Sequence, residues 1–439
     1  MQSIGGVLRA HKNVGPGFDA LRLILAVSVL FVHSASLWRP ANPDPDLMPL
    51  LNPLPIPTWA LSTALVPLFF ALSGFLVAGS AENLPLRDFI ANRALRIVPA
   101  LLVEVTLCGL LLGPLVTTLP IHDYFRDPAF SKYFLNVLGW IHYELPGVFK
   151  NNPETYYVNG SLWTVPHELS VYVALAASVY LGVFERRKLL LISVAALFGV
   201  AIAIYFATAH AIHFPGSGAL NEIFVTRGAA RLLPVFFTGV LFYCYRDRIP
   251  FHGGIAAAAA AAYLGATWLV QRETMLSPVG VLFTAPLFAY VVVWIGLSPR
   301  FSLRGRHLWI LPIGALTAGD FSYGIYLYGY PLQQTLLHFF PGTWNTLGFF
   351  CASLTVVASF AVLSWYLVER PILRLRRHTR SGLRTETIAE SYVSTVSPAI
   401  ATRTAPSSYN ADSLSEACNS ISPPLEPGMS QGSAAVLIE

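Results

Sequence analysis

About ten apolar runs, each close to the roughly 20 residues that cross a bilayer, follow one another between residues 18 and 368. In lipid a chain must bond its own backbone N–H and C=O groups, so such runs fold as helices or as a closed barrel. A barrel strand needs only about 9–11 residues, which favours helices here. The expected fold is therefore all-α, a polytopic integral membrane bundle of about ten transmembrane helices. The runs lie at 18–37, 58–80, 97–117, 161–184, 189–207, 228–245, 254–270, 279–297, 312–338 and 346–368. Composition agrees: 54% of the 439 residues are hydrophobic and 12% charged, against roughly 25% charged in a soluble domain. Mean hydropathy is +0.57.

The net charge of +5 says less than its placement. With the N-terminus in the cytoplasm, the basic clusters Arg87/Arg93/Arg96, Arg186/Arg187/Lys188, Arg246/Arg248, Arg300/Arg304/Arg306 and Arg370–Arg380 all fall inside. That satisfies the positive-inside rule and places both termini in the cytoplasm. Short basic loops between apolar runs form no continuous stripe, which argues against nucleic acid as a partner. The expected domains are a cytoplasmic segment at 1–17, a membrane domain at 18–378 and a disordered cytoplasmic tail at 379–439, rich in Ser, Thr, Ala and Pro. The proline-rich stretch 38–57 reads as a loop. Residues 118–160, the longest interior loop, read as an interfacial or a re-entrant segment. The first run is long, contains Arg22 and is followed by no small-residue cleavage site, so it reads as a retained span. Cys108, Cys244 and Cys351 sit inside apolar runs without metal-ligand spacing and read as small packing residues.

Ionisable groups inside spans are costly and tend to be functional. The first run, FDALRLILAVSVLFVHSASL, carries Asp19, Arg22 and His33. Eleven residues separate Arg22 from His33, about 20° past three full turns, so they share a helix face about 16 Å apart. His33 reads as a packed imidazole or as a general base that takes a proton from an alcohol during acyl transfer. Arg22 reads as a snorkelling cation, a partner of Asp19, or an anchor for phosphate or carboxylate. Glu168, about 10 Å below the outer end of the fourth run, sits at a depth similar to that of His33. It reads either as the carboxylate that orients this imidazole or as a structural partner of Arg227 or Arg231. Arg93 and Arg96, three residues apart, share a helix face and suit a diphosphate, or supply ordinary inside charge. Glu369-Arg370-Pro371 reads as a structural helix end. Three leads fall away. Pro166-His167-Glu168-Leu169 has Val171 where a zinc-protease helix needs its second His. Ser73-Gly74 lacks the nucleophile elbow, and there is no Walker-type loop.

The motifs in order resemble membrane-bound acyltransferase family 3, the bacterial O-acyltransferases that decorate surface carbohydrates. The resemblance spans about residues 18–378 and rests on six features: Arg22 and His33 at the family's basic-x10-His spacing; Phe69-Phe70-Ala71-Leu72-Ser73-Gly74-Phe75; Arg93-x-x-Arg96; Ser161-Leu162-Trp163 followed by Glu168 and Tyr172; Ser322, Tyr323, Tyr326 and Leu327; and Glu369-Arg370-Pro371. Each is weak alone; their order carries the case. The chain departs from the family at Gly329, where many members have a second His, and in ending on a short tail without an appended hydrolase-like domain. The resemblance implies a multi-pass protein of the bacterial inner membrane with no permanently bound cofactor. Acyl-CoA, most often acetyl-CoA, would be the donor substrate and a carbohydrate hydroxyl the acceptor. It implies His33 and Glu168 as catalytic, Arg22, Arg93 and Arg96 as acyl-CoA-binding, and Ser73, Trp163, Tyr172, Tyr323 and Tyr326 as pocket residues. The competing class is a transporter or flippase of a lipid-linked sugar. It accounts for the spans and intramembrane charges but not for the ordered motifs, and no inverted repeat is visible.

Overall fold

The computed structural model describes residues 1–37, 58–155, 157–210, 212, 228–302 and 320–374. The proline-rich stretch 38–57, Arg227, most of the basic loop after Pro299, the start of the ninth run and the tail expected from 379 lie outside the described residues. Met1–Arg370 forms one compact unit. Among the described residues the chain is helical, with two isolated β-bridges and no strands.

Each expected run holds a helix in its described part, though the fourth stops being helical at Tyr180 and continues as a turn over 181–184. The helices that build the core are α1 (Ile4–Ala10), α2 (Phe18–Leu37), α3 (Thr58–Asn83) and α4 (Leu86–Leu107). They continue with α5 (Ile121–Arg126), α6 (Pro128–Tyr133), α7 (Val165–Tyr180) and α8 (Arg187–Ala209). The rest are α9 (Ala229–Cys244), α10 (Gly253–Leu269), α11 (Arg272–Leu276), α12 (Pro278–Leu297), α13 (Ser322–Phe339) and α14 (Thr346–Ser364). Six segments are long and apolar enough to cross a membrane: Phe18–Leu37, Trp59–Asn83, Leu86–Val116, Arg187–Ala209, Pro278–Leu297 and Thr346–Arg374. Leu111, Val173, Ile192, Leu269 and Leu367 point outward, more than half exposed, as side chains facing hydrocarbon would.

Two sequence expectations change. The third helix begins at Leu86, eleven residues before the expected Ile97, so Arg93 and Arg96 ride on the span itself. The N-terminal segment 1–17, where no helix was expected, contains one. Its helix α1 buries Ile4, Val7 and Leu8, bonds through Ile4 N to Ile249 O (2.9 Å), and pairs Arg9 with Asp247 at 2.6 Å. That guanidinium holds the Asp247 carboxyl below the ordinary carboxylate range.

Lipid tails give apolar helices no hydrophobic reason to associate, so close packing and polar bonds must hold the bundle. Helices α3 and α9 meet through glycine. A Cβ at Gly74 would collide with the Phe236 carbonyl oxygen, and one at Gly239 with that of Ala71. Polar bonds fasten the long loop. Pro331 has no N–H, which leaves the Leu327 carbonyl of α13 without its helical donor. The Asn159 amide fills that vacancy at 3.0 Å and also donates to Glu104 of α4 at 2.8 Å. Asn152 donates to Gln334 at 2.8 Å, and the Gln334 amide donates to the Glu154 and Tyr157 carbonyls. The segment preceding α7 is thus fastened to helices α4 and α13 of the bundle.

Gly239→Val is expected to prevent folding, because the clash is with backbone. Gly199→Val, where a Cβ meets nothing within 4 Å, serves as control. Size-exclusion profiles of the solubilised proteins check this: aggregation of the first and a wild-type peak for the second are expected.

Candidate active site

Helices α2, α3, α4, α7 and α13 converge on a cavity of about 140 Å³, room for about ten waters or a small acyl group with part of its carrier. Arg22, Arg93 and Arg96 line it beside Glu168. Ser73, Tyr172, Tyr323 and Tyr326 complete the polar wall, with Phe69 and Phe236 on the apolar side. Eight of the ten residues expected from the sequence therefore share one chamber.

The charged end is a network. Arg22 donates to Asp320 at 3.0 Å, and Arg96 donates to the same carboxylate oxygen at 2.5 Å. Arg96 also donates to Glu369 at 3.1 Å. The other Asp320 oxygen accepts from the Ser322 amide and hydroxyl, so Asp320 also begins α13. Glu369, 3% exposed, belongs to the π turn Trp365–Glu369 after α14 and accepts from Ser364. The helix end read from Glu369-Arg370-Pro371 is thus also one pole of an ion pair. The Arg96 guanidinium lies 5.4 Å from the Tyr323 ring centre and that of Arg93 5.9 Å from Tyr172. Tyr172 donates to Glu168 at 2.8 Å and lies 3.3 Å from the Ser73 hydroxyl. Tyr326 and Thr164 share a bond at 2.9 Å.

Two expected residues stand elsewhere. Trp163 lies outside the chamber wall, under Arg231 at 5.7 Å and against His167. His33 is half-buried and packs edge-on to Tyr330, ring centres 5.3 Å apart. Among the described residues no hydrogen bond joins His33 to Glu168. The expected pairing by depth fails for a physical reason: α7 starts inside the bundle, where Asn159 and Thr164 hold its entry to α13. Glu168 in its first turn consequently faces the arginine end. Nor is Glu168 the partner of Arg231. Tyr330 is one helical turn, about 6 Å, beyond the lining residue Tyr326 on α13, so His33 packs against the helix that carries part of the chamber wall. Gly329, where the second family His is absent, packs towards Leu30.

Sequence reasoning passed over Asp320, Glu104 and Asn159. Glu104 is fully buried in α4, and among the described residues one of its oxygens is bonded by Asn159 and Cys108 while the other has no hydrogen-bond partner. A carboxyl in the middle of an apolar run was the available signal for it. Asp320 precedes the Ser322-Tyr323 motif, but nothing local announces that it bridges two distant arginines.

Residues 16–367 match the acyltransferase family 3 profile, described as an acyltransferase domain. The chain belongs to this family and is an acyltransferase of groups other than amino-acyl groups. It is 30% identical over 387 residues to "Nodulation protein 10" of Rhizobium leguminosarum bv. viciae, covering 83% of this chain and 94% of that one. It is 25% identical over 378 residues to an "O-acetyl transferase" of Shigella phage Sf6, covering 81% and 95%. No solved structure matches the chain.

Arg96→Ala removes the guanidinium that two buried carboxylates, Asp320 and Glu369, share and is expected to cost about 3–5 kcal/mol, whereas Arg93→Ala, which breaks no ion pair among the described residues, is expected to cost far less. Thermal denaturation of the two variants in detergent measures the contrast.

Proposed function

We propose that the chain moves an acyl group, acetyl in the first instance, from cytoplasmic acyl-CoA to a hydroxyl of a surface or exported carbohydrate. The observation that carries this is the chamber itself: three arginines line it together with Tyr326, which lies one turn of α13 from the Tyr330 ring that packs on His33. The phage relative named an O-acetyl transferase supports acetyl as the group and oxygen as the acceptor atom. In this reading the protein crosses the bacterial inner membrane about ten times with both termini in the cytoplasm, as the charge bias of its loops favours.

The mechanism follows from the groups present. Phosphates of the donor bind at the arginine end, where guanidinium geometry suits them. The carrier arm runs along the shared face of α2, and about 16 Å separates Arg22 from His33. His33 takes the proton of the acceptor hydroxyl as its oxygen attacks the thioester carbonyl. The C–S bond breaks, and the proton returns to the departing thiolate. Tyr326 and Tyr330 form the wall between the donor's charged end and this reacting end. Glu168, bonded by Tyr172 within the donor chamber, acts there and not as a direct orienting partner of the imidazole.

His33→Ala is expected to reduce transfer of label from radioactive acetyl-CoA into the membrane carbohydrate fraction by at least 100-fold, with normal membrane insertion. Wild-type label incorporation by a well-inserted His33→Ala protein would remove the imidazole from the reaction. Failure of the wild type to transfer label, with movement of a lipid-linked sugar instead, would favour a flippase.

A further inference from the structure

The three arginines of the chamber are not equivalent. Arg96 has both terminal nitrogens committed, one to Asp320 and one to Glu369, and its flat face rests on Tyr323. Arg22 is held by the same Asp320 oxygen. The side chains of these four residues are at most 18% exposed, so their charges are satisfied by one another inside a poorly polarisable interior. Two cations face two carboxylates, and the quartet sums to zero. Arg93 stands apart. Among the described residues it forms no ion pair, its buried Nε has no hydrogen-bond partner, and its guanidinium lies over Tyr172 on the chamber wall.

A phosphate arriving at this end meets two kinds of cation. To bind the terminal nitrogens of Arg96 it must loosen Asp320 or Glu369 from buried bonds, and to bind Arg22 it must sit beside the Asp320 carboxylate that already holds one of that guanidinium's nitrogens. To bind Arg93 it replaces nothing of that kind. We propose that Asp320 is a positioning residue of the donor site. By fixing Arg22 and Arg96 it leaves Arg93 as the cation that receives a single phosphate of the acyl-CoA, which sets where the carrier arm begins. This rests on the acyl-CoA reading above and assigns unequal roles within it. Arg93 is the binding residue, whereas Arg22 and Arg96 shape and neutralise the wall around it.

The proposal makes an unusual demand of Asp320→Asn. The amide keeps the shape and still bonds the start of α13 through an oxygen, but it takes from Arg22 its ion-pair partner and leaves Arg96 held by Glu369, so positive charge in the chamber is no longer balanced. Affinity for the anionic donor then rises while its placement worsens. Coenzyme A itself is the binding probe, titrated calorimetrically against full-length protein in nanodiscs. Turnover is read as label transferred from radioactive acetyl-CoA to the membrane carbohydrate fraction. The expected results are at least 10-fold weaker coenzyme A binding for Arg93→Ala, and 3- to 10-fold tighter binding with at least 10-fold slower turnover for Asp320→Asn. Arg22→Gln, which leaves Arg96 paired with both carboxylates, should fold even if Asp320→Asn does not, and should change the affinity less than 3-fold. Wild-type affinity in Arg93→Ala, or a loss in Arg22→Gln as large as that in Arg93→Ala, overturns the division of labour. So does an Asp320→Asn protein that folds and binds no more tightly than wild type, the result a merely structural Asp320 would give. Absence of coenzyme A binding to the wild type removes the donor reading itself, a different result from all of these.

Discussion

One carboxylate, Asp320, organises the centre of this protein. Its oxygen atoms tie Arg22 of the first long helix to Arg96 of the third, and its other bonds begin the helix Ser322–Phe339. Through Arg96 the same network reaches Glu369 after Thr346–Ser364. Four segments distant in sequence are thus joined by bonds between full charges, in a setting where water competes little. Losing Asp320 would take from the buried Arg22 its ion-pair partner and from Arg96 one of two, so these charges depend on one carboxylate. In a bundle whose outer surface is as apolar as the lipid, such bonds supply direction that apolar contact cannot.

The remaining framework places the chamber relative to this network. The close approach of Gly74 to the Phe236 carbonyl and of Gly239 to that of Ala71 brings Thr58–Asn83 against Ala229–Cys244 and fixes the backbone next to Ser73. Asn159 answers the carbonyl that Pro331 leaves free and draws the entry of Val165–Tyr180 into the bundle. Glu168 and Tyr172 therefore reach the chamber from the first turns of a short helix. The bond that satisfies the carbonyl freed by Pro331 thus also helps set where Glu168 stands.

Much of this was legible in the sequence. Apolar run length and spacing located the helices, because a bilayer imposes both. The spacing Arg93-x-x-Arg96 put two guanidiniums on one face, and the structure has both in the chamber. Depth was harder to read. Counting residues from a span's end placed Glu168 near His33, but the count assumed that the helix starts at the membrane surface. The start is instead set by Asn159 and by Thr164 on Tyr326, contacts between residues some 160 positions apart. Asp320 escaped for a similar reason. Its role depends on two partners 298 and 224 positions away, and nothing in its own neighbourhood encodes them.

The account stands on a donor whose phosphate lies at the arginine end of the chamber and whose thioester lies near His33. A structure of the protein in nanodiscs with coenzyme A bound tests this most directly. The account predicts density for a phosphate at the Arg93 guanidinium and for the carrier arm along the Phe18–Leu37 helix, ending beside the His33 imidazole. Coenzyme A bound away from this chamber, or within it with its thiol at the arginines and its phosphates towards His33, would contradict it.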